Sequence, residues 1–216
     1  MYQLYYYPCN ASLAPHFVLE EMGVDFELVL VDRKSEAQKS EEYLALNPAG
    51  RIPTLVDKSN EEDLVLFESP AICTYLAEQH PEFNLIPLAG ATHRAKFHQW
   101  IMYLTNTLQA ELMIYFYPQK HTLDETAAGN IKKQQENRVT EMFELLDNEL
   151  AGKDFLVGDS ITVCDYFLLM LAIWADEFVK PPLSFSNLCC YLKKLTKRPA
   201  VIKVCDKENL SLIAYQ

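Results

Sequence analysis

The segment from Asn47 to Ile72 limits the folds open to this chain more than any other stretch. It reads Asn47-Pro48-Ala49-Gly50-Arg51-Ile52-Pro53-Thr54-Leu55-Val56, then a polar gap, then Leu64-Val65-Leu66-Phe67-Glu68-Ser69-Pro70-Ala71-Ile72. Pro48 and Gly50 mark a loop. Thr54 to Val56 and Leu64 to Phe67 are expected as two short strands, with the polar residues Asp57 to Asp63 as a hairpin turn between them. Ser69 opens a helix, with Pro70 at its first position, where a missing N–H costs nothing. Ile52-Pro53 stands just before the first of these strands, at a position open to a cis bond, and a cis proline usually fixes a tight turn. Such a turn leaves the backbone N–H and C=O of Ile52 open to an extended peptide alongside. Glu68-Ser69 adds a carboxylate, a hydroxyl and helix N-terminal amides. The set suits one peptide-like ligand carrying both an amine and a carboxylate.

The elements before and after this segment follow from periodicity. Leu4 to Tyr7 reads as a first strand and Pro8-Cys9-Asn10-Ala11 as a loop. Ser12 is placed to cap a helix with Leu13, Phe17, Val18 and Met22 on one apolar face, ending near Gly23. Phe26 to Val31 is a second strand, parallel to the first because a helix intervenes. Glu41 to Leu46 is a short helix, and Ser69 to Gln79 a longer one stopped by His80-Pro81. The order is βαβαββα over residues 1–80. Residues 81–88 read as a linker. Residues 89–216 show no strand-like alternation and are expected to be all-helical. There Ala91 to Tyr117 is amphipathic and rich in aromatics, and Asp124 to Leu150 has apolar residues at helical spacing. Thr162-Val163-Cys164-Asp165 resembles a capping box ahead of an apolar helix, Tyr166 to Trp174, ended by Pro181-Pro182. Asn187 to Leu195 and a segment starting at Arg198-Pro199 complete the series.

Composition narrows the function. The 216 residues carry 30 acidic and 19 basic side chains, a net charge of −11. That argues against nucleic acid or an anionic membrane as the main partner. The longest apolar runs, such as Tyr166 to Ala175, are too short to span a bilayer. No basic, cleavable leader is apparent after Met1. Cys9, Cys73, Cys164, Cys189, Cys190 and Cys205 form no C-x-x-C pair and no zinc spacing with the five histidines. No metal is expected, and a reduced, cytoplasmic setting is the simplest reading.

Asn-Pro-x-Gly-x-Ile-Pro-x-Leu followed by Glu-Ser-x-Ala-Ile resembles the glutathione-binding half of cytosolic glutathione transferases. The capping box at Thr162 extends the resemblance over nearly the whole chain. It implies a thioredoxin-like domain followed by an all-helical domain, a homodimer, and glutathione as substrate for attack on a hydrophobic electrophile. By the resemblance, Ile52 pairs through its backbone with the cysteinyl part of glutathione and Pro53 shapes that contact. Glu68 and Ser69 hold the γ-glutamyl amine and carboxylate, and Arg51 or Lys34 reaches the glycine carboxylate. Tyr103, Gln109, Met113 and Tyr117 are candidates for the second-substrate pocket.

The group that activates the thiol stays open between several residues. A thiol of pKa about 8.5 is only a few per cent ionised at neutral pH. Lowering it to about 6.5 needs roughly 2.7 kcal/mol of preference for the anion. A helix N-terminus supplies about 0.3–1 kcal/mol, or about 2 when sheltered. One charge-assisted hydrogen bond adds about 1.5–3 kcal/mol. A donor at the start of the first helix is therefore required, and Cys9, Asn10, Ser12 and the local amides are the candidates. The closest pattern is that of the bacterial beta-like classes, aligned through Ser12 to His16, but Ala11 stands where those classes carry their cysteine. The histidine they carry near Gln109 is missing too. Cys9-Asn10-Ala11-Ser12 instead reads as a monothiol C-x-x-S motif. Thiol–disulfide chemistry at Cys9 is thus an alternative to transferase chemistry with Ser12 as thiolate donor. A non-catalytic ligand carrier or interaction module of the same fold is a third.

Overall fold

The computed structural model describes residues 1–59 and 61–216; Asn60, within the expected hairpin turn, lies outside them. The chain starts with β1 (Tyr2–Tyr6), α1 (Leu13–Met22), β2 (Phe26–Leu30), α2 (Glu41–Leu46), β3 (Thr54–Asp57), β4 (Leu64–Phe67) and α3 (Ser69–Gln79). The expected order βαβαββα is present, with two short 3-10 turns, Arg33–Ser35 and Ala37–Lys39, before α2. The strands form one sheet in the order β2-β1-β3-β4. β1 runs parallel to β2, pairing Tyr2 with Phe26 and Tyr6 with Leu30. It is antiparallel to β3, with Leu4 opposite Leu55, and β3 is antiparallel to β4.

Local chemistry explains these elements. Leu13, Phe17 and Val18 of α1 and Ile72, Leu76 and Ala77 of α3 are fully buried, as are Leu4 and Leu55 of the sheet. α1 stops at Gly23, whose left-handed φ of 63° lets its N–H reach the Leu19 and Glu20 carbonyls. Ser12 occupies the position before α1, but its hydroxyl makes no capping bond. β1 begins at Tyr2 rather than Leu4 and releases Tyr7. In α3, Pro70 is the second helical residue, behind Ser69 and the cap residue Glu68, and so still lies where no N–H is missed.

The helical part comprises α4 (Thr92–Met102), a π-helical stretch Tyr103–Gln109, α5 (Ala110–Phe116), α6 (Ala128–Glu149), α7 (Val163–Trp174) and α8 (Ser186–Leu195). α7 is the core rod, buried at every residue from Val163 to Ala172. Its capping box is complete: Asp165 accepts the Thr162 N–H at 2.7 Å, and the Thr162 side chain caps in return. The same carboxylate accepts the Leu156 N–H at 2.8 Å and the Tyr191 hydroxyl at 2.6 Å. α7 begins at Val163, not Tyr166, and ends well before Pro181. Its last turn tightens to i→i−3 bonds, Ala175 N–H to Ala172 and Asp176 N–H to Ile173, which unwinds it without a proline.

A last helix, α9 (Pro199–Glu208), changes the expected domain boundaries. The chain divides into two compact units, one of residues 1–86 with 196–214 and 216, the other of residues 87–195 with 215. The first break between the units, at 86/87, falls within the expected linker 81–88, while α9, expected with the rest of 89–216, groups with the first unit. Val201 and Val204 of α9 are buried and belong to the core of the first unit. Leu85 and Ile86, inside the expected linker, are buried as well.

Candidate functional site

The turn before β3 is built by three side chains. Asn47, itself buried, donates through Nδ2 to the Arg51 carbonyl at 2.8 Å and to Thr54 Oγ1 at 3.2 Å, and its Oδ1 accepts the Ala49 N–H at 3.1 Å. The Tyr43 hydroxyl donates to the same Arg51 carbonyl at 2.7 Å. Gly50 turns the chain with φ of 57°. A Cβ there would stand 2.7 Å from Lys39 Nζ and 3.0 Å from the Gln38 carbonyl oxygen, so a side chain at this left-handed position is strained. The Ile52-Pro53 bond is cis. Arg51 on one side of Ile52 is fully engaged through its carbonyl. Ile52 itself, only 8% exposed, makes no backbone hydrogen bond to any described residue. A nearly buried N–H and C=O left open costs about 1–3 kcal/mol unless a partner arrives. The pair is therefore a ready edge for a short extended peptide.

Glu68 lies at the mouth of α3. Its side chain is exposed and bonded to no described residue, and its backbone sits at φ 72°, ψ 110°. Such a conformation in a residue with a Cβ costs of order 1–3 kcal/mol and tends to occur at functional positions. The Ser69 hydroxyl donates to the Ala11 carbonyl at 2.7 Å, which ties the start of α3 to the loop before α1. That bond uses the hydroxyl proton; the Ser69 and Ala71 amides, at the start of α3, have no acceptor among the described residues. Lys34 and Arg51 are exposed, and neither cationic head meets an acid among the described residues. Arg33, beside Lys34, lies 5.9 Å from the Tyr7 ring centre.

At the opening of α1, the candidates separate. Ser12 is fully buried; its hydroxyl donates to the Tyr7 carbonyl at 3.1 Å and accepts the Tyr7 N–H at 3.3 Å. This hydroxyl is engaged with the main chain of Tyr7, just past β1, where the expectation had Ser12 Oγ donating to a thiolate. The Ser12 backbone N–H, by contrast, has no acceptor among the described residues. Cys9 is exposed and left-handed at φ 55°. Asn10 is half-buried: its Oδ1 accepts the Ala11 N–H at 2.7 Å, while its Nδ2 donors meet no described acceptor. Ala11, where a beta-class cysteine would stand, contributes its carbonyl to Ser69.

Three side chains that shape the candidate site, Glu208, Asn47 and Tyr43, escape sequence reasoning. Glu208, at the end of α9, accepts the Cys9 N–H, and His16 pairs with the same carboxylate. The 199 positions between Cys9 and Glu208 leave no local signal. Asn47 and Tyr43 are the second omission; the Asn47-Pro48 pair signals a turn but not the carbonyl that Asn47 binds. In the helical unit, Tyr103 and Gln109 begin and end the π-helical stretch, Met113 lies in α5, and Tyr117 follows α5 with Lys120 Nζ 4.7 Å from its ring centre. All four are half-buried, and burial pushes the Tyr103 phenol up. Among the described residues no cluster of three or more His, Cys, Asp or Glu could hold a metal ion, and no helix is long and apolar enough to cross a membrane.

Comparison with known proteins bears on this geometry. Residues 2–78 match the glutathione S-transferase N-terminal domain and residues 106–199 the glutathione S-transferase C-terminal domain. Glutathione S-transferase GST-4.5 of Xanthomonas campestris pv. campestris is 30% identical over 175 residues, covering 81% of this chain and 83% of its own. Glutathione S-transferase GstA of Escherichia coli O157:H7 is 27% identical over 209 residues, covering 96% and 99%. The structure of a sphingomonad glutathione S-transferase complexed with glutathione superposes with a TM-score of 0.83 at 30% identity, covering 97% of this chain and all of that one.

Proposed function

The chain belongs to the glutathione S-transferase family, and on that premise we propose that it grips glutathione at Ile52 and Glu68 and activates its thiol at the opening of α1. It is a glutathione transferase, and the thiolate attacks an electrophilic carbon of an apolar small molecule. The observation that carries the residue roles is the open backbone pair of Ile52 beside the cis bond to Pro53. The cysteinyl unit of glutathione pairs there as an added strand. The exposed carboxylate of Glu68 takes the γ-glutamyl amine, and the Ser69 and Ala71 amides take the γ-glutamyl carboxylate in the field of the α3 N-terminus. Arg51 or Lys34 neutralises the glycine carboxylate.

This leaves the sulfur beside Cys9 to Ser12. The donors offered there are Asn10 Nδ2 and the Ser12 N–H. One charge-assisted bond of about 1.5–3 kcal/mol plus a sheltered helix terminus of up to about 2 covers the roughly 2.7 kcal/mol needed for a thiolate at neutral pH. The thiol proton leaves to solvent, the sulfur forms the new carbon bond, and the leaving group departs with its electron pair. A cytoplasmic homodimer, with size-exclusion chromatography as its check, completes the reading.

Calorimetric titration with glutathione tests it. The native protein is expected to bind, and Glu68→Gln to bind about tenfold or more weakly, since a charged hydrogen bond of about 1.5–3 kcal/mol is lost. Absence of binding at millimolar glutathione sinks the reading in favour of a non-catalytic module. A second reading, thiol–disulfide exchange at Cys9, is favoured by one observation: the thiol is exposed on the same turn. Reductase activity towards a glutathionylated thiol that disappears in Cys9→Ser would select it.

A further inference from the structure

Glu208 joins α9 to the opening of α1. Its Oε1 lies 2.6 Å from His16 Nδ1, and its Oε2 accepts the Cys9 N–H at 2.9 Å. Neither the Glu208 nor the His16 side chain has any exposed surface. His16 Nε2 is buried too and has no hydrogen-bond partner among the described residues. Around that ring stand Tyr6 and Phe26, at 6.2 and 5.7 Å between ring centres. A proton on Nε2 would leave a buried donor unbonded among aromatic rings. The ring therefore meets Glu208 through an Nδ1–H donor. Glu208 is then a buried carboxylate whose charge is held by two donors, His16 Nδ1–H and the Cys9 N–H. A buried charge persists only when it is hydrogen-bonded in this way.

The second donor belongs to a residue in an unfavourable conformation. Cys9 has φ 55°, left-handed for a residue with a Cβ. Its N–H points inward to Glu208, and the chain leaves it through Asn10, whose N–H bonds the Tyr7 carbonyl at 3.2 Å and whose carbonyl accepts the Leu13 N–H at 2.9 Å. The conformation of Cys9 therefore sets the direction of the next three residues. We propose that Glu208, oriented by His16, is a positioning residue for the thiolate-binding turn: it holds Cys9 left-handed so that Asn10 Nδ2 and the Ser12 N–H face the sulfur. The assignment rests on the transferase reading above, but the hydrogen bond can be tested apart from it.

The test compares Glu208→Ala with Glu208→Gln, which keeps an oxygen for the Cys9 N–H. Two readouts are used: hydrogen exchange of the Cys9 amide by NMR, and kcat and KM for glutathione with 1-chloro-2,4-dinitrobenzene well below the melting temperature. Glu208→Ala is expected to speed Cys9 exchange by about tenfold or more, with Cys190 unchanged as an internal control. It is also expected to lower kcat about tenfold while KM for glutathione moves less than about threefold, because Ile52 and Glu68 are untouched. Glu208→Gln is expected to restore both to within about threefold of the native protein. If Glu208→Ala does not fold, Glu208→Asp, one methylene shorter, is expected to show the same two changes in smaller degree. A variant that melts earlier but keeps its kcat would show a role in stability alone and overturn the proposal. So would a Glu208→Gln protein that protects the Cys9 amide yet stays as slow as Glu208→Ala. A native protein that fails to bind glutathione overturns the transferase reading instead, while Cys9 exchange still reports whether Glu208 holds the turn.

Discussion

Asn10 is where residue-scale chemistry is most exposed to test. Its Oδ1 braces the turn, and its Nδ2 meets no acceptor among the described residues. Asn10→Ala is expected to lower kcat by roughly 10- to 100-fold, the equivalent of one bond to an anion, and to move the pH–rate profile upward; steady-state kinetics across pH would show both. Glu68, the proposed anchor of the γ-glutamyl amine, stands in a costly backbone conformation. Glycine tolerates φ 72° freely, so Glu68→Gly is expected to raise thermal stability by about 1 kcal/mol while weakening glutathione binding about tenfold or more, read by melting and titration on one sample. Gly50 is the reverse case. Gly50→Ala forces a Cβ against a backbone oxygen at positive φ and is expected to cost about 2 kcal/mol in denaturant titration.

At the scale of elements, α1 and α9 are joined by charge as well as by apolar contact. Glu20 pairs with Lys203 and, at 3.2 Å, with Lys207, and Glu21 pairs with Arg198. Burial alone would push the Glu20 carboxyl up, but the hydrogen bonds and charges of Lys203 and Lys207 outweigh it and hold it below its usual value. A carboxyl lowered in the folded state stabilises above its unfolded pKa, and that stabilisation disappears as pH falls through the folded value. Glu20→Gln is therefore expected to cost up to about 1 kcal/mol at neutral pH and nothing once the carboxyl is protonated in both states, as chemical unfolding at several pH values would show. α7 depends on Asp165 in a different way. Burial pushes this carboxyl up while its hydrogen bonds to Leu156, Tyr191 and Thr162 oppose the shift. Asp165→Ala strands those donors in the core and is expected to cost about 3 kcal/mol or more, measured by urea unfolding.

For the whole molecule, the last 20 or so residues matter more than their position suggests. α9 buries Ala200, Val201, Val204 and Cys205 in the core of the first unit, and burial raises the Cys205 thiol to about 12, with Glu208 and Asp206 adding to the effect. That thiol is inert packing at neutral pH, unlike the exposed thiol of Cys9.

What the sequence determined by itself is what short-range chemistry fixes. Apolar spacing set α3 and the β3–β4 pair, Thr162 and Asp165 set the start of α7, and the order of Asn47, Gly50, Ile52-Pro53 and Glu68 set the turn and its open edge. Each of these depends on neighbours within a few residues, so the pattern is written locally. The tertiary structure decided what distant partners do. It closed the Ser12 hydroxyl onto Tyr7, although a serine before a helix reads as a cap, because the backbone just past β1 was the nearer partner. It carried α9 into the first unit, because the apolar side of α1 needed cover that its own half of the chain does not supply. It brought Glu208 to Cys9, because a buried carboxylate must find donors wherever the fold presents them, and no spacing along the chain records that choice.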